Sequence, residues 1–157
     1  MPWYEHLMER YAQFQPAAWD ELPDLGLYMD QVITFLERQF RPLYGESRRI
    51  VTPAMINNYV KSGLISRPVG KKYSREQLAQ LSMLCSLKQA ISLEDARLLL
   101  AVPEDGDIRT VYEAFCQQQR TVAERLGESL VDRSPMECAI WAASFRILCE
   151  EMLHAES

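Results

Sequence analysis

The chain has 157 residues, 48% of them hydrophobic and 25% charged, with 6 glycines and 8 prolines. That composition excludes collagen-like, low-complexity and disordered sequence, and a chain of this length buries roughly 70% of its unfolded surface, so it needs no disulfide or metal staple. The net charge of −5 conceals an asymmetry: residues 41–75 hold eight basic residues and one acid, Glu46, for +7, and the remainder carries −12. A uniformly acidic protein repels nucleic acid, whereas one concentrated basic segment can hold phosphates.

No apolar run approaches the ~20 residues that a membrane helix needs, and the opening Met-Pro-Trp-Tyr-Glu-His lacks the basic stretch and apolar core of a signal peptide. Cys85, Cys116, Cys138 and Cys149 have no CxxC spacing. The expectation is a cytoplasmic protein with reduced thiols, no metal site and no membrane contact.

In chain order, Trp3, Leu7, Tyr11 and Phe14 recur at helical spacing and predict an amphipathic helix over 2–15. Pro16 and Pro23 bracket a loop. Tyr28, Val32, Leu36 and Phe40 predict a second helix that stops before Pro42. A connection over 41–51 carries Arg48 and Arg49. Thr52 is a good N-cap, Pro53 suits the first helical position, and Gly63 is placed to end a short third helix. Ile56, Tyr59 and Val60 give that helix its apolar face, leaving Ala54, Asn57, Asn58 and Lys61 on the other side. Pro68 and Gly70 predict a tight turn between two short strand-like pieces, with Arg67, Lys71 and Lys72 around its tip.

Ser74 and Gln77 form a capping box before a helix whose buried stripe is Leu78, Leu81, Leu84 and Cys85. Ser92 and Asp95 repeat the spacing before a shorter helix. Residues 102–107 read as a linker, with Asp107 capping a helix that carries Tyr112 and Phe115. Ser134, Pro135 and Glu137 open a last helix whose apolar residues spread beyond one stripe, so it requires cover on more than one side. The expected organisation is an N-terminal helical segment (1–24), a DNA-binding region (25–101) and a C-terminal helical hairpin (102–157) that mediates homodimerisation.

Residues 51–100 resemble the DNA-binding half of MerR-type transcription regulators. Thr52-Pro53 falls on the start of the family's recognition helix, Tyr59 on its second tyrosine, Gly63-Leu64 on its Gly-Leu, Tyr73-Ser74 on the helix opening after the wing, and Ser92-Leu93-Glu94-Asp95 on the last helix start. LYMDQV (27–32), MINNYVKSGLI (55–65) and KKYS (71–74) also resemble an uncharacterised bacterial family, a domain of unknown function to which a MerR-like DNA-binding fold is ascribed. The resemblance implies a mainly α protein: a winged helix-turn-helix with a small β wing, plus N-terminal and C-terminal helices. Asn57 and Asn58 stand where MerR-type helices carry an arginine and a tyrosine, so their base contacts rest on chemistry alone.

That chemistry is direct. Asparagine pairs with an adenine edge, and lysine reaches guanine or phosphate. Asn57, Asn58 and Lys61 are therefore expected to face bases, and Thr52, Arg67, Lys71 and Lys72 to hold phosphates of double-stranded DNA. Tyr59 and Tyr73 are read as core. No Gly-rich phosphate loop, G-x-S-x-G or HExxH is present, so the expectation is a DNA-binding regulator without catalysis, cofactor or metal. The alternative is an adaptor that binds an acidic protein. A third reading, an effector pocket between the last two helices, requires a closed apolar cavity there.

Overall fold

The structure, a computed structural model, describes residues 3–46, 48–129 and 133–155. Pro2 and the side chain of Trp3, at the start of the expected first helix, lie outside the described residues. Among the described residues seven helices run in order: α1 (Trp3–Gln13), α2 (Met29–Tyr44), α3 (Pro53–Lys61), α4 (Arg75–Leu87), α5 (Leu93–Leu99), α6 (Ile108–Ser129) and α7 (Pro135–His154), with a 3-10 turn at Trp19–Glu21. Their starts follow local chemistry. Thr52, Ser74, Ser92 and Ser134 each accept the N–H three residues ahead, and the Asp107 carboxylate does the same for Thr110 at 2.8 Å. Each such cap contributes about 1 kcal/mol by satisfying an otherwise orphaned donor.

The core forms around α4, on which Leu78, Ala79, Leu81, Met83, Leu84 and Cys85 are all at most 1% exposed. Val32, Leu36 and Phe40 of α2, Ile56 and Tyr59 of α3, and Tyr112 and Cys116 of α6 close over it, joined by Phe14 and Trp19. Burying each large apolar side chain is worth roughly 1.5–3 kcal/mol. Tyr112 keeps its hydroxyl satisfied by donating to the Ala17 carbonyl at 2.6 Å.

The expected β wing does not form. Among the described residues there is no strand or sheet, only two isolated bridges, Leu27 with Tyr73 and Val69 with Lys72. The turn is as tight as Gly70 implies: the Lys72 N–H donates to the Val69 carbonyl at 3.0 Å. What is missing is a ladder beneath it. The Leu64 and Ile65 N–H groups both return to the Tyr59 carbonyl, Gln77 holds the Ser66 carbonyl at 2.8 Å, and Pro68 has no N–H. The incoming leg has committed its backbone elsewhere. The outgoing leg pairs instead with the segment before α2, through Leu27–Tyr73 bonds of 2.8 and 3.0 Å. Over the described residues the protein is mainly α, without the sheet of a winged helix.

Two boundaries also differ from expectation. α1 ends at Gln13 rather than 15, and α2 runs through Pro42 to Tyr44. Proline removes one helix hydrogen bond, but here the last turn is held from outside. Arg10 donates to the Pro42 and Leu43 carbonyls at 2.7 and 3.1 Å, and the Phe40 and Tyr44 rings pack 6.2 Å apart.

The connection after α2 is pinned by side chains. Arg41 donates to the Gly45 and Arg48 carbonyls and pairs with Glu37, whose other oxygen accepts the Ile50 N–H at 3.2 Å. Lys88 takes the Ile50 carbonyl. This fixes Ile50 and Val51 in the core and sets the first turn of α3.

Candidate nucleic-acid interface

With Ile56 and Tyr59 turned into the core, the 100° per residue of a helix points Ala54, Asn57, Asn58 and Lys61 the other way. All four are exposed. Thr52 is half-buried and acts as the cap: its Oγ1 accepts the Met55 N–H at 3.2 Å. Tyr59 and Tyr73, each 4% exposed, are core residues, and burial raises both phenol pKa values.

α3 ends at a reversal built on Gly63, whose φ of +78° is left-handed. The chain then leads to the basic turn. Gly70 and Lys71 both have positive φ, +58° and +62°, the pattern of a type I′ turn. Lys71 is the one non-glycine residue with positive φ among the described residues. Holding a lysine there costs roughly 1 kcal/mol. Arg67, Lys71 and Lys72 are exposed, and the Lys72 ammonium lies 5.2 Å from the Tyr28 ring centroid. Beneath it, a Cβ on Gly26 would come within 2.8 Å of Lys72 Cβ, so glycine is what lets residues 24–27 approach the turn.

Not every cation of the basic segment faces outward. Arg41 is used on the 45–48 backbone, and Arg75 donates to the Leu22 carbonyl at 3.0 Å with its guanidinium over the Trp19 ring. Lys61, Arg67, Lys71 and Lys72, and Arg48 and Arg49 ahead of the Thr52 cap, remain exposed.

One contributor was not anticipated. Arg97 of α5 donates to the Ser62 and Gly63 carbonyls at 2.7 and 3.4 Å, which secures the C-terminal end of α3. A cation at a helix C-terminus is favourable on dipole grounds. The available signal was an isolated arginine on an otherwise acidic and apolar helix, and its target lay 35 residues upstream.

The aromatic side chains of α6 and α7 fall into two separate groups. Tyr112 and Phe115 join Trp19 in the core, with ring centroids 6.1 and 6.3 Å from Tyr112. Trp141 and Phe145 stack at 5.4 Å beside an open groove of about 600 Å³ between α6 and α7, lined also by Val122 and Leu126. Among the described residues, no cluster of His, Cys, Asp and Glu could hold a metal ion, and no helix is long and apolar enough to cross a membrane.

No curated protein and no solved structure matches this chain. A family model described as a domain of unknown function, DUF1836, matches residues 17–115. The match takes in α2 to α5, the basic turn and the start of α6, which is well over half of the chain. The protein belongs to the DUF1836 family.

Proposed function

We propose that the protein is a cytoplasmic regulator that binds duplex DNA, with α3 in the major groove and the basic turn against phosphates. The observation that carries this reading is the uncovered face of Asn57, Asn58 and Lys61, followed closely in the chain by a lysine tip whose backbone is strained. Strain at an exposed loop tip is characteristic of binding segments. The major groove, about 12 Å wide, admits a helix with small polar residues outward, and two asparagines offer the donor–acceptor pair that matches adenine. Thr52 Oγ1 accepts from Met55 and keeps its hydroxyl proton for a phosphate oxygen. The MerR-type order of capped helix, Gly-Leu, basic turn and second capped helix supports the same reading in its helical parts. The activity is binding without chemistry.

Fluorescence anisotropy on a mixed-sequence duplex at several salt concentrations tests it. The logarithm of the affinity should fall linearly with the logarithm of the salt concentration, with a slope of about −0.9 per neutralised phosphate. Lys71→Glu with Lys72→Glu should weaken binding at least tenfold and flatten the salt slope by about one per lysine. Unchanged affinity in the double variant overturns the reading.

The adaptor reading draws on a different observation. Val69 at the tip is 86% exposed and Leu25, next to the Gly26 contact, 78%. Absence of DNA binding at low salt, with an acidic protein partner bound by the wild type and released by Val69→Ser, would favour it.

A further inference from the structure

α7 is an apolar helix with nowhere to bury itself. None of its residues is buried, although a helix apolar on most sides belongs in an interior. Its C-terminal end meets α5, where His154 lies 2.9 Å from Asp95, and half-buried Cys149 packs against the core. Outward it presents Trp141, Phe145, Leu148 and Met152 on one side, each between 46% and 73% exposed, while the exposed Met136, Ile140 and Ile147 lie about 130° further round, with Glu137, Ser144 and Glu151 between the two sets. The first set, continuous with the exposed Val122 across the groove, leaves roughly 500–600 Å² of apolar surface on one side of α7, at the upper end of what a monomer exposes.

We infer that this face docks on α7 of a second copy of the chain, antiparallel across a two-fold axis. Three observations select that occupant. First, the flanking charges are already closed within the chain: Arg133 pairs with Glu137 at 2.7 Å and Arg146 with Glu150 at 2.9 Å, so the face offers no field to a charged partner. An anionic lipid surface is also disfavoured, because the helix carries Glu137, Glu150 and Glu151 against a single arginine, Arg146. Second, a small apolar ligand in the groove between α6 and α7 would touch Trp141 and Phe145 but leave Leu148 and Met152, on the same side of the helix, bare. A second helix covers the groove and that side of α7 together. Third, the surface is self-complementary. The midpoint of α7 falls between Ser144 and Phe145, so two copies crossing there set Trp141 against the partner's Leu148, bulky against branched, along a helix about 30 Å long. α7 lies outside the residues matched to DUF1836, and the inference is independent of the DNA reading.

Light scattering after size exclusion tests it on the full chain. The wild type should run at twice 18.2 kDa. Phe145→Glu should run as a monomer with unchanged helical circular dichroism, since Phe145 is already 59% exposed and its loss removes no core contact. Leu148→Glu, on the same side of α7 and 55% exposed, provides a second variant should the first fold poorly. A wild type that is monomeric at its highest soluble concentration overturns the inference. So does a dimer that persists in both variants.

Discussion

Burial removes the Cys85 side chain from water entirely and pushes its thiol up to about 11, from an ordinary value of 9.0. Desolvation is the main cause; nearby Lys88 lowers the value and Glu37 raises it. The unfolded chain therefore loses this proton near pH 9, while the folded chain keeps it to about pH 11. The resulting stabilisation is complete below pH 9 and disappears as pH rises through 11, amounting to about 1.4 kcal/mol lost by pH 10. Urea denaturation at pH 8 and pH 10 measures it. Wild type and Cys85→Ala share the buried tyrosines and Lys88, so the difference between their pH dependences isolates the thiol, and equal dependences would show that Cys85 contributes nothing. The same burial argues against a redox role for this cysteine, because the thiolate is the reactive form. Cys138 is the exposed thiol on α7.

At the scale of elements, α3 is held at both ends by side chains: Thr52 at its first turn, Arg97 at its last. Replacing Arg97 by Ala leaves the Ser62 and Gly63 carbonyls to water and removes a charge-assisted bond. The expected cost is about 1–2 kcal/mol in global stability, with faster amide exchange at the end of α3 and, on the proposed DNA-binding reading, weaker DNA binding, although Arg97 is not among the residues proposed to touch DNA. Amide exchange that is unchanged at Lys61 and Ser62 would show the contact to be incidental.

The contrast between these ends also explains what the chain reveals before it folds. Caps at Thr52, Ser74, Asp107 and Ser134 are readable because donor and acceptor lie three residues apart. The outward face of α3 is readable because Ile56 and Tyr59 fix its phase. Arg97 is not readable, since its partners are distant in sequence. The wing fails for a related reason. Pro68 and Gly70 specify a turn, but a strand also needs a free partner, and the competing claims of Tyr59 and Gln77 on residues 64–66 are tertiary. The same holds at Pro42, where local chemistry ends the helix and Arg10 from another element extends it.

For the whole molecule, α5 is the point where two surfaces meet. Its Arg97 holds the end of α3, and its buried Asp95 lies 2.9 Å from Nε2 of His154, the last residue of α7. A second copy seated on α7 therefore bears, through seven residues of α5, on the helix proposed to read DNA. One helix as short as α3 spans few base pairs, and two related by a two-fold axis double the site and demand a palindrome. If both readings hold, footprinting should show two symmetric half-sites. Phe145→Glu should then protect a single half-site, lose affinity by at least tenfold on the intact palindrome, and show about half the salt slope, since half the phosphate contacts remain. Binding of one half-site with wild-type affinity would mean that a single chain supplies the whole contact. Loss of dimerisation without any change in the footprint would separate the two surfaces and leave α7 to a different task.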